Sequence, residues 1–289
     1  MTESPSFTVN KSRLHITAGG FDFYLVRDGY YRLDGGSMYG MVPKAIWETI
    51  EKYDEKNRLY MGMNCLLAAG RGKVYLADTG IGDKFDEKRK AIYGIEKEKN
   101  LLEEIADAGF KPEDITDVIP THLHFDHAGW IQDNEGKLTF PNAVYHVQKT
   151  EWEEALNPHP RFKDSYLMNF YSALKDSPAL HLLDGDEVID NTVRVKLTAG
   201  HSKGHQIVIF ETGEKTVAHF GDIAALASQV RTNWTCGFDR FPEETVTVKT
   251  PLLEEAFEGG WIVVTAHDRT IHAGQLEKVR GNFHLKKLI

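Results

Sequence analysis

The sequence has 289 residues, 41% hydrophobic and 27% charged, and a formal net charge of −9, which is typical of a folded globular protein rather than a disordered or fibrous one. Acidic and basic residues are mixed along the whole length, so no basic face is available for a nucleic-acid backbone. Residues 1–14 contain no apolar signal segment, and no apolar run approaches the roughly 20 residues that span a bilayer, so we expect a cytoplasmic protein with neither a nucleic-acid nor a membrane partner.

The predicted elements alternate between strands and helices along the chain. In order, they are a strand (21–27), a glycine-rich turn and candidate lid (34–40), a helix (44–53), a hairpin (64–69 and 73–77), a helix (96–108), two strands (117–120 and 143–147), a helix (150–156), three strands (193–198, 206–210 and 216–220), a helix (252–257) and a strand (261–265). This alternation predicts a mixed α/β protein.

Nothing in the sequence divides the chain into parts. No Pro/Gly/Ser-rich linker, low-complexity tract or fixed-period repeat interrupts it, so we expect one domain over residues 1–289. The two cysteines, Cys65 and Cys236, form no CxxC pair, and we expect both to be reduced, buried side chains. The sequence leaves open whether the chain forms a homodimer.

Polar residues that commonly bind metals stand where predicted strands end. They are Asp78, His122, His201, Asp222 and His267. Loops at one edge of a sheet bring such distant residues together on a rigid support. We therefore expect these five positions to share one site.

The segment Thr121-His122-Leu123-His124-Phe125-Asp126-His127 carries the densest pattern. In an extended segment alternate side chains project to the same side, so His122 and His124 can share one metal ion. Asp126 and His127 follow in a turn and can aim at a neighbouring point. Imidazole and carboxylate ligands suit zinc and other first-row metals, so the segment predicts two adjacent cation sites.

Three later residues complete the candidate ligand set. His201 lies beside glycine, where the backbone can approach an ion closely, Asp222 follows Gly221, and His267 ends an apolar strand. Each has a structural alternative when taken alone, since an aspartate after a strand is ordinarily a helix N-cap. We expect the neighbouring His205 to have a structural role.

Five ordered motifs resemble those of the metallo-β-lactamase superfamily, over nearly the whole chain. They are Ala-Asp-Thr-Gly with Asp78, HxHxDH at 122–127, Gly-His-Ser-Lys-Gly-His with His201, Phe-Gly-Asp ending at Asp222, and His267. The resemblance implies an α/β (α+β) fold, a four-layer αββα sandwich. It also implies one metal held by His122, His124 and His201, a second held by Asp126, His127 and His267, a bridging Asp222, and an Asp78 that orients the ligands.

Such a centre favours hydrolysis. Two cations about 3.5 to 4 Å apart lower the pKa of a bridging water and polarise a carbonyl or phosphoryl oxygen. We expect two divalent ions, zinc first, with manganese, cobalt or iron as alternatives. The bridging hydroxide would attack a small-molecule substrate, with Asp126 and Asp222 as the catalytic carboxylates and Asp126 passing a proton to the leaving group.

Within the superfamily, the chain looks most similar to the branch of N-acyl homoserine lactonases and methyl parathion hydrolase-like enzymes. Lactonases of that branch often carry a tyrosine shortly after the bridging aspartate, whereas Ile223-Ala224-Ala225-Leu226 follows Asp222 here. We therefore predict a broader hydrolase of lactones, carboxylic esters or phosphoesters. The alternatives are a mononuclear iron oxidoreductase of the persulfide dioxygenase type, which shares most of these ligands, and a non-catalytic binding protein.

The substrate pocket is weakly encoded in the sequence. Seven residues in loops or close to the ligands are candidates for an apolar cleft: Met38, Tyr39, Met41, Phe125, Trp130, Trp234 and Phe238. By composition most of them are expected to be core or rim residues. We interpret His272 as a solvent-exposed side chain, with a role as pocket acid or base as the alternative.

Overall fold

Two β-sheets organise the molecule in a computed structural model that describes residues 7–11 and 14–289. The first sheet contains β1 (Thr8–Asn10), β2 (His15–Ala18), β3 (Phe21–Asp34), β4 (Arg58–Gly70), β5 (Lys73–Ala77), β6 (Asp117–Ile119), β7 (Val144–Gln148) and β8 (Leu180–Leu183). These strands lie side by side in chain order, antiparallel from β1 to β5 and parallel from β5 to β8.

The second sheet is formed by the later strands. It contains β9 (Glu187–Val188), β10 (Val193–Leu197), β11 (Gln206–Glu211), β12 (Thr216–His219), β13 (Ile262–Val264), β14 (Ala273–Val279) and β15 (Asn282–Lys287). Neighbouring strands are antiparallel except for β12 and β13, which are parallel. The short C-terminal segment after His267 therefore adds a hairpin to one edge of this sheet.

Helices cover the outer faces of both sheets. They are α1 (Gly35–Tyr39), α2 (Lys44–Trp47), α3 (Glu87–Tyr93), α4 (Leu101–Asp107), α5 (Lys149–Leu156) and α6 (Pro242–Glu258). Side chains of α2, α4 and α5 pack with the outer face of the first sheet, and those of α6 pack with the outer face of the second. The predicted four-layer αββα sandwich is confirmed.

The alternation of side chains along strands produces these layers, since successive side chains point to opposite faces. On β11, Val208 and Phe210 pack between the sheets against residues such as Phe23. Ile207 and Ile209 point the other way, into the cluster that contains α6. A strand that is apolar on both faces is what a central layer requires.

Several predicted boundaries are wrong. The segment expected to be a turn at 34–40 contains α1, because the Asp34 side chain accepts a hydrogen bond from the Ser37 amide and caps a helix despite its two glycines. The helix expected over 44–53 ends at Trp47. The helix expected over 252–257 is the last part of α6, which begins at Pro242 and continues through Pro251.

Two expectations about the chain as a whole can be compared with the described residues. Cys65 and Cys236 are both buried, and neither forms a disulfide bond with a described residue. Within residues 7–11 and 14–289, no helix combines the length and apolar character needed to cross a bilayer.

A buried carboxylate on β3 joins the segments that surround the strand ends. Asp28 is fully buried and accepts hydrogen bonds from five donors: the amides of Ile81, Gly82 and Leu101, the Trp130 indole and the Lys97 ammonium. The segments after β5 and after His127 are thereby fixed to the same strand.

We expect Asp28→Ala to lower the free energy of unfolding by about 3–5 kcal/mol, because five buried donors would lose their acceptor. Urea unfolding followed by circular dichroism measures this. Asp83→Ala is a matched control, since it removes the more exposed partner of Lys97, and its cost should stay below about 1 kcal/mol. Equal losses in the two variants would contradict the assignment.

Candidate metal centre

The ends of strands from both sheets meet at one point. Asp78 follows β5 and His122 follows β6, and these strands are parallel neighbours. Asp222 follows β12 and His267 follows β13, a second parallel pair, while His201 follows β10. Since the carboxyl ends of parallel strands lie at the same edge, the structure brings all the predicted site residues together.

The first group of ligand atoms comes from three imidazoles. His122 Nε2 lies 2.9 Å from His124 Nδ1, and His201 Nε2 lies 3.2 Å from the same atom. The three rings are buried and their nitrogens converge, an arrangement suited to one cation.

The second group combines two imidazoles with a carboxylate. His127 Nε2 and His267 Nε2 are 3.1 Å apart, and Asp126 Oδ2 lies 3.9 and 3.7 Å from these two nitrogens. This triad is also compact enough for one cation.

Asp222 stands between the two groups. Its Oδ2 lies 3.3 Å from His201 Nε2 of the first group, while its Oδ1 lies 3.2 Å from His267 Nε2 and 3.4 Å from His127 Nε2 of the second. Oδ1 is buried and makes no hydrogen bond with any residue that the structure describes. A buried carboxylate oxygen that faces two imidazole nitrogens without a hydrogen bond fits a bound cation.

The outward nitrogen of most rings is held by another group. His201 Nδ1 pairs with Asp239 at 2.8 Å, His127 Nδ1 with Asp78 at 2.8 Å, and His267 Nδ1 with the Gly62 carbonyl at 2.9 Å. Such outer bonds fix the tautomer and turn Nε2 toward the centre, as in protein metal sites.

The charges of the cluster agree with the same interpretation. Burial, followed by the neighbouring imidazoles, lowers the pKa of His122 and His124 well below the usual value, so both rings are neutral and keep a lone pair. Burial alone would raise the pKa of Asp222, but His127, His267 and His201 outweigh it and hold the pKa well below its usual range. The donor set is therefore an ionised carboxylate among imidazoles, which fits a first-row divalent cation.

Asp78 contacts the centre through the outward nitrogen of His127. It is buried, and its carboxylate contacts His127 Nδ1, His219 Nε2 and the Thr121 amide. Its φ of +61° lies in the left-handed region, where a residue other than glycine is held only by its surroundings. The second-layer position that the resemblance implied for Asp78 matches these contacts.

Three supporting residues were not found by sequence reasoning. Asp239 holds His201, His219 contacts Asp78, and Glu151 ties the two ligand loops together. Glu151 accepts hydrogen bonds from the Leu123 amide between the first two histidines, and from the Ser202 hydroxyl and Gly204 amide after His201.

His205 has a structural role in this geometry, as expected. Its Nε2 accepts a hydrogen bond from the Asp222 amide at 2.9 Å, and its Nδ1 lies 2.6 Å from the Thr198 hydroxyl. Gly221 is required beside it, because a Cβ there would lie 2.7 Å from His205 Nε2 and 2.8 Å from Thr121. The ring thus orients the backbone that carries Asp222.

A cavity of about 440 Å³ opens onto the centre. Its walls include Asp126, Asp222 and three of the seven predicted cleft residues, Met38, Phe125 and Phe238. Tyr39, Trp130 and Trp234 are buried in the hydrophobic core instead, and Met41 is exposed. Tyr31 of β3, which sequence reasoning did not single out, also lines the cavity.

His272 does not line this cavity, and its predicted exposure is wrong. The ring is buried, and both its nitrogens lie within 3.2 Å of the Arg27 guanidinium. Burial, together with the positive charge of Arg27, lowers the pKa of His272 from 6.5 to about 4. The side chain therefore packs between β3 and the start of β14 as a neutral ring.

A family model described as the metallo-beta-lactamase superfamily matches residues 62–279, a range that includes every motif from Asp78 to His267. Among curated proteins, the chain is 28% identical over 166 residues to an N-acyl homoserine lactonase of Bacillus cereus. That alignment covers 54% of this chain and 61% of the relative, so the chain spans about six tenths of the length of the curated protein it matches.

Solved structures extend the similarity over almost the full length. A probable metal-dependent hydrolase from Staphylococcus aureus superposes with a TM-score of 0.85 at 26% identity, covering 94% of this chain and 99% of the other. AidC, a dizinc quorum-quenching lactonase in complex with a product, superposes with a TM-score of 0.79 at 21% identity, covering 95% and 97%. At this low identity the likeness to AidC concerns the fold.

We expect Asp239→Asn to weaken metal retention by about 10- to 100-fold, because His201 loses the carboxylate that orients its ring. Metal content after dialysis against graded chelator measures the change. Asp164→Asn at the exposed rim of the same cavity is the control and should retain metal as the wild type does. Unchanged retention in the Asp239 variant would contradict the supporting role.

We expect His272 to make the stability of the metal-free protein depend on pH. Its folded-state pKa lies below the unfolded value, so the unfolded chain binds the extra proton, and stability falls as pH decreases from 6.5 toward 4 by up to about 3 kcal/mol. Urea unfolding at pH 7 and pH 4.5 measures the slope. His272→Gln should show a shallower decrease than the wild type, and equal slopes would contradict the assignment.

Proposed function

The chain belongs to the metallo-beta-lactamase superfamily, and from this premise we propose that it is a hydrolase that uses two divalent metal ions to cleave lactones, carboxylic esters or phosphoesters. The observation that carries the proposal is the position of Asp222. Its two oxygens face two separate groups of imidazole ligands. A carboxylate so placed can bridge two cations.

The proposed ligands follow from the two groups. His122, His124 and His201 would hold one cation, and Asp126, His127 and His267 the other. Zinc is the metal we propose, with manganese, cobalt or iron as alternatives for the same nitrogen and oxygen donors. When bound, such ions acidify a water molecule and polarise the scissile carbonyl or phosphoryl oxygen.

We propose a separate role for each of the four aspartates at the centre. Asp222 would keep the two ligand groups at a fixed spacing. Asp126 lines the cavity and lies beside the second group, so we propose that its carboxylate carries a proton to the leaving group. Asp78 and Asp239 would keep the histidine rings oriented through their outward nitrogens.

The cavity supports a small, partly apolar substrate. Its walls carry the apolar side chains Leu33, Met38, Tyr93, Phe125, Phe162 and Phe238. An acyl or aryl group can lie against this surface while its ester or lactone carbonyl faces the ligand groups. The lactonase relatives support lactones within this class, while the absence of a tyrosine after Asp222 supports keeping the class broad.

The completeness of both ligand groups favours this proposal over a mononuclear iron oxidoreductase. A single-metal enzyme requires one group of ligands, whereas Asp126, His127 and His267 form a second buried triad. Retaining three ionisable groups in a buried position is costly unless they have a charged partner. The second triad therefore supports a second cation.

We expect native protein to contain two divalent metals per chain and to hydrolyse members of a panel of lactones, aryl esters, phosphotriesters, phosphodiesters and thioesters. Chelation should abolish turnover and metal addition should restore it. Asp222→Ala and His122→Ala should each lower kcat/KM by at least about 100-fold, through loss of metal ligation. Metal analysis and initial rates measure both effects.

His284→Ala, on β15 and outside both ligand groups, is the control for replacement of a histidine. It should keep wild-type metal content and activity. One iron per chain with oxygen consumption would contradict the proposal in favour of an oxidoreductase. Wild-type turnover by Asp222→Ala at full metal occupancy would rule out the bridging role.

A further inference from the structure

Tyr31 places a phenol inside the second ligand group. The residue lies on β3, is fully buried, and precedes the range matched by the family model, 62–279. Its hydroxyl donates a hydrogen bond of 2.7 Å to Asp126 Oδ2 and lies 3.3 Å from His267 Nε2. One hydroxyl thus contacts two of the three members of that group.

Other proton donors that line the cavity do not reach the ligands. Ser37, Tyr93, Arg161 and Ser165 share the cavity with Tyr31, yet the side chains of these four make no hydrogen bond to a candidate ligand within the described part of the chain. Tyr31 is therefore distinguished from its neighbours by contact with the centre itself.

The two carboxylates of the centre differ because of this contact. Asp222 is surrounded by imidazole nitrogens, and its Oδ1 makes no hydrogen bond to a described residue. Asp126 lies farther from the imidazoles, at 3.7 and 3.9 Å, and is held instead by the phenol. The phenol therefore holds the Asp126 carboxylate through Oδ2.

We infer that Tyr31 is a positioning residue of the second cation site, where its hydroxyl fixes Asp126 Oδ2 beside His267. This inference rests on the proposed function, because it takes Asp126, His127 and His267 as ligands of one metal ion. The ring contributes a separate contact, a tilted packing against the His267 ring with centroids 5.4 Å apart. A phenylalanine keeps that packing and removes only the hydroxyl.

The test is metal retention rather than turnover alone. We expect Tyr31→Phe to release one of its two metals at a chelator concentration about 10- to 100-fold lower than the wild type, which is the usual effect of removing a group that orients a metal ligand. The other metal should be released as in the wild type. Asp126→Asn identifies which of the two metal sites is affected, because it weakens the group of Asp126, His127 and His267 directly.

A double-mutant cycle separates positioning from general packing. If the hydroxyl acts through Asp126, the double variant Tyr31→Phe/Asp126→Asn should retain metal no worse than Asp126→Asn alone. Additive losses would overturn the inference. Tyr171→Phe is the matched control, because Tyr171 is also fully buried but its hydroxyl makes no hydrogen bond to a described residue; it should behave as the wild type.

The remaining outcomes are distinct. Equal loss of both metals would indicate a general structural effect and overturn the inference. A phenolate-to-metal absorption band in the Fe³⁺- or Cu²⁺-loaded wild type, absent in Tyr31→Phe, would identify Tyr31 as a direct ligand and also overturn it. A wild type that binds one metal would contradict the proposed function itself, whereas unchanged retention in Tyr31→Phe beside a two-metal wild type would overturn this inference alone.

Discussion

The negative charge enclosed at the junction of the two sheets is the constraint on which the rest of the site depends. Asp78, Asp126 and Asp222 are all withdrawn from bulk water, and several kcal/mol are needed to bury each such ion without compensation. The neutral rings of His122 and His124 offer no positive charge. Compensation must come from protons or from cations, and in the metal-free protein the carboxylates raise the pKa of His127 well above its usual value, although burial opposes this.

Buried hydrogen bonds join the loops that carry the candidate ligands. Glu151 accepts hydrogen bonds from the loop at Leu123 and from the loop at Ser202, and so joins a loop that follows a strand of the first sheet to a loop that follows a strand of the second. On the opposite side, the Asn64 side chain binds the carbonyls of Thr265 and Asp268 around His267. Because these anchors are buried hydrogen bonds, they hold the candidate ligand side chains in fixed positions, which is the support that a metal site needs.

The residues that converge at the candidate centre could be selected from sequence because each belongs to a short local pattern after a strand, and the five motifs also predicted the sandwich fold. Asp239, Glu151 and Tyr31 could not, since each meets its partner only through tertiary contacts, as Tyr31 meets Asp126 across 95 residues of sequence. Asp and Glu together account for 43 residues, and nothing local separates a buried anchor from a solvated charge. The helix after Asp34 was predicted as a turn because Gly35 and Gly36 favour turns, whereas the Asp34 side chain caps a helix there.

Asp126 and Asp222 carry the same carboxyl group, but their different surroundings suit them to different roles. Asp222 has imidazole nitrogens within 3.4 Å of both oxygens, so each of its oxygens faces one of the two candidate ligand groups. Asp126 contacts one ligand group, borders the cavity and shares its Oδ2 with a phenol. A carboxylate that is held at one oxygen can still exchange a proton through the other, which is the reason we propose Asp126 rather than Asp222 as the proton donor to the leaving group.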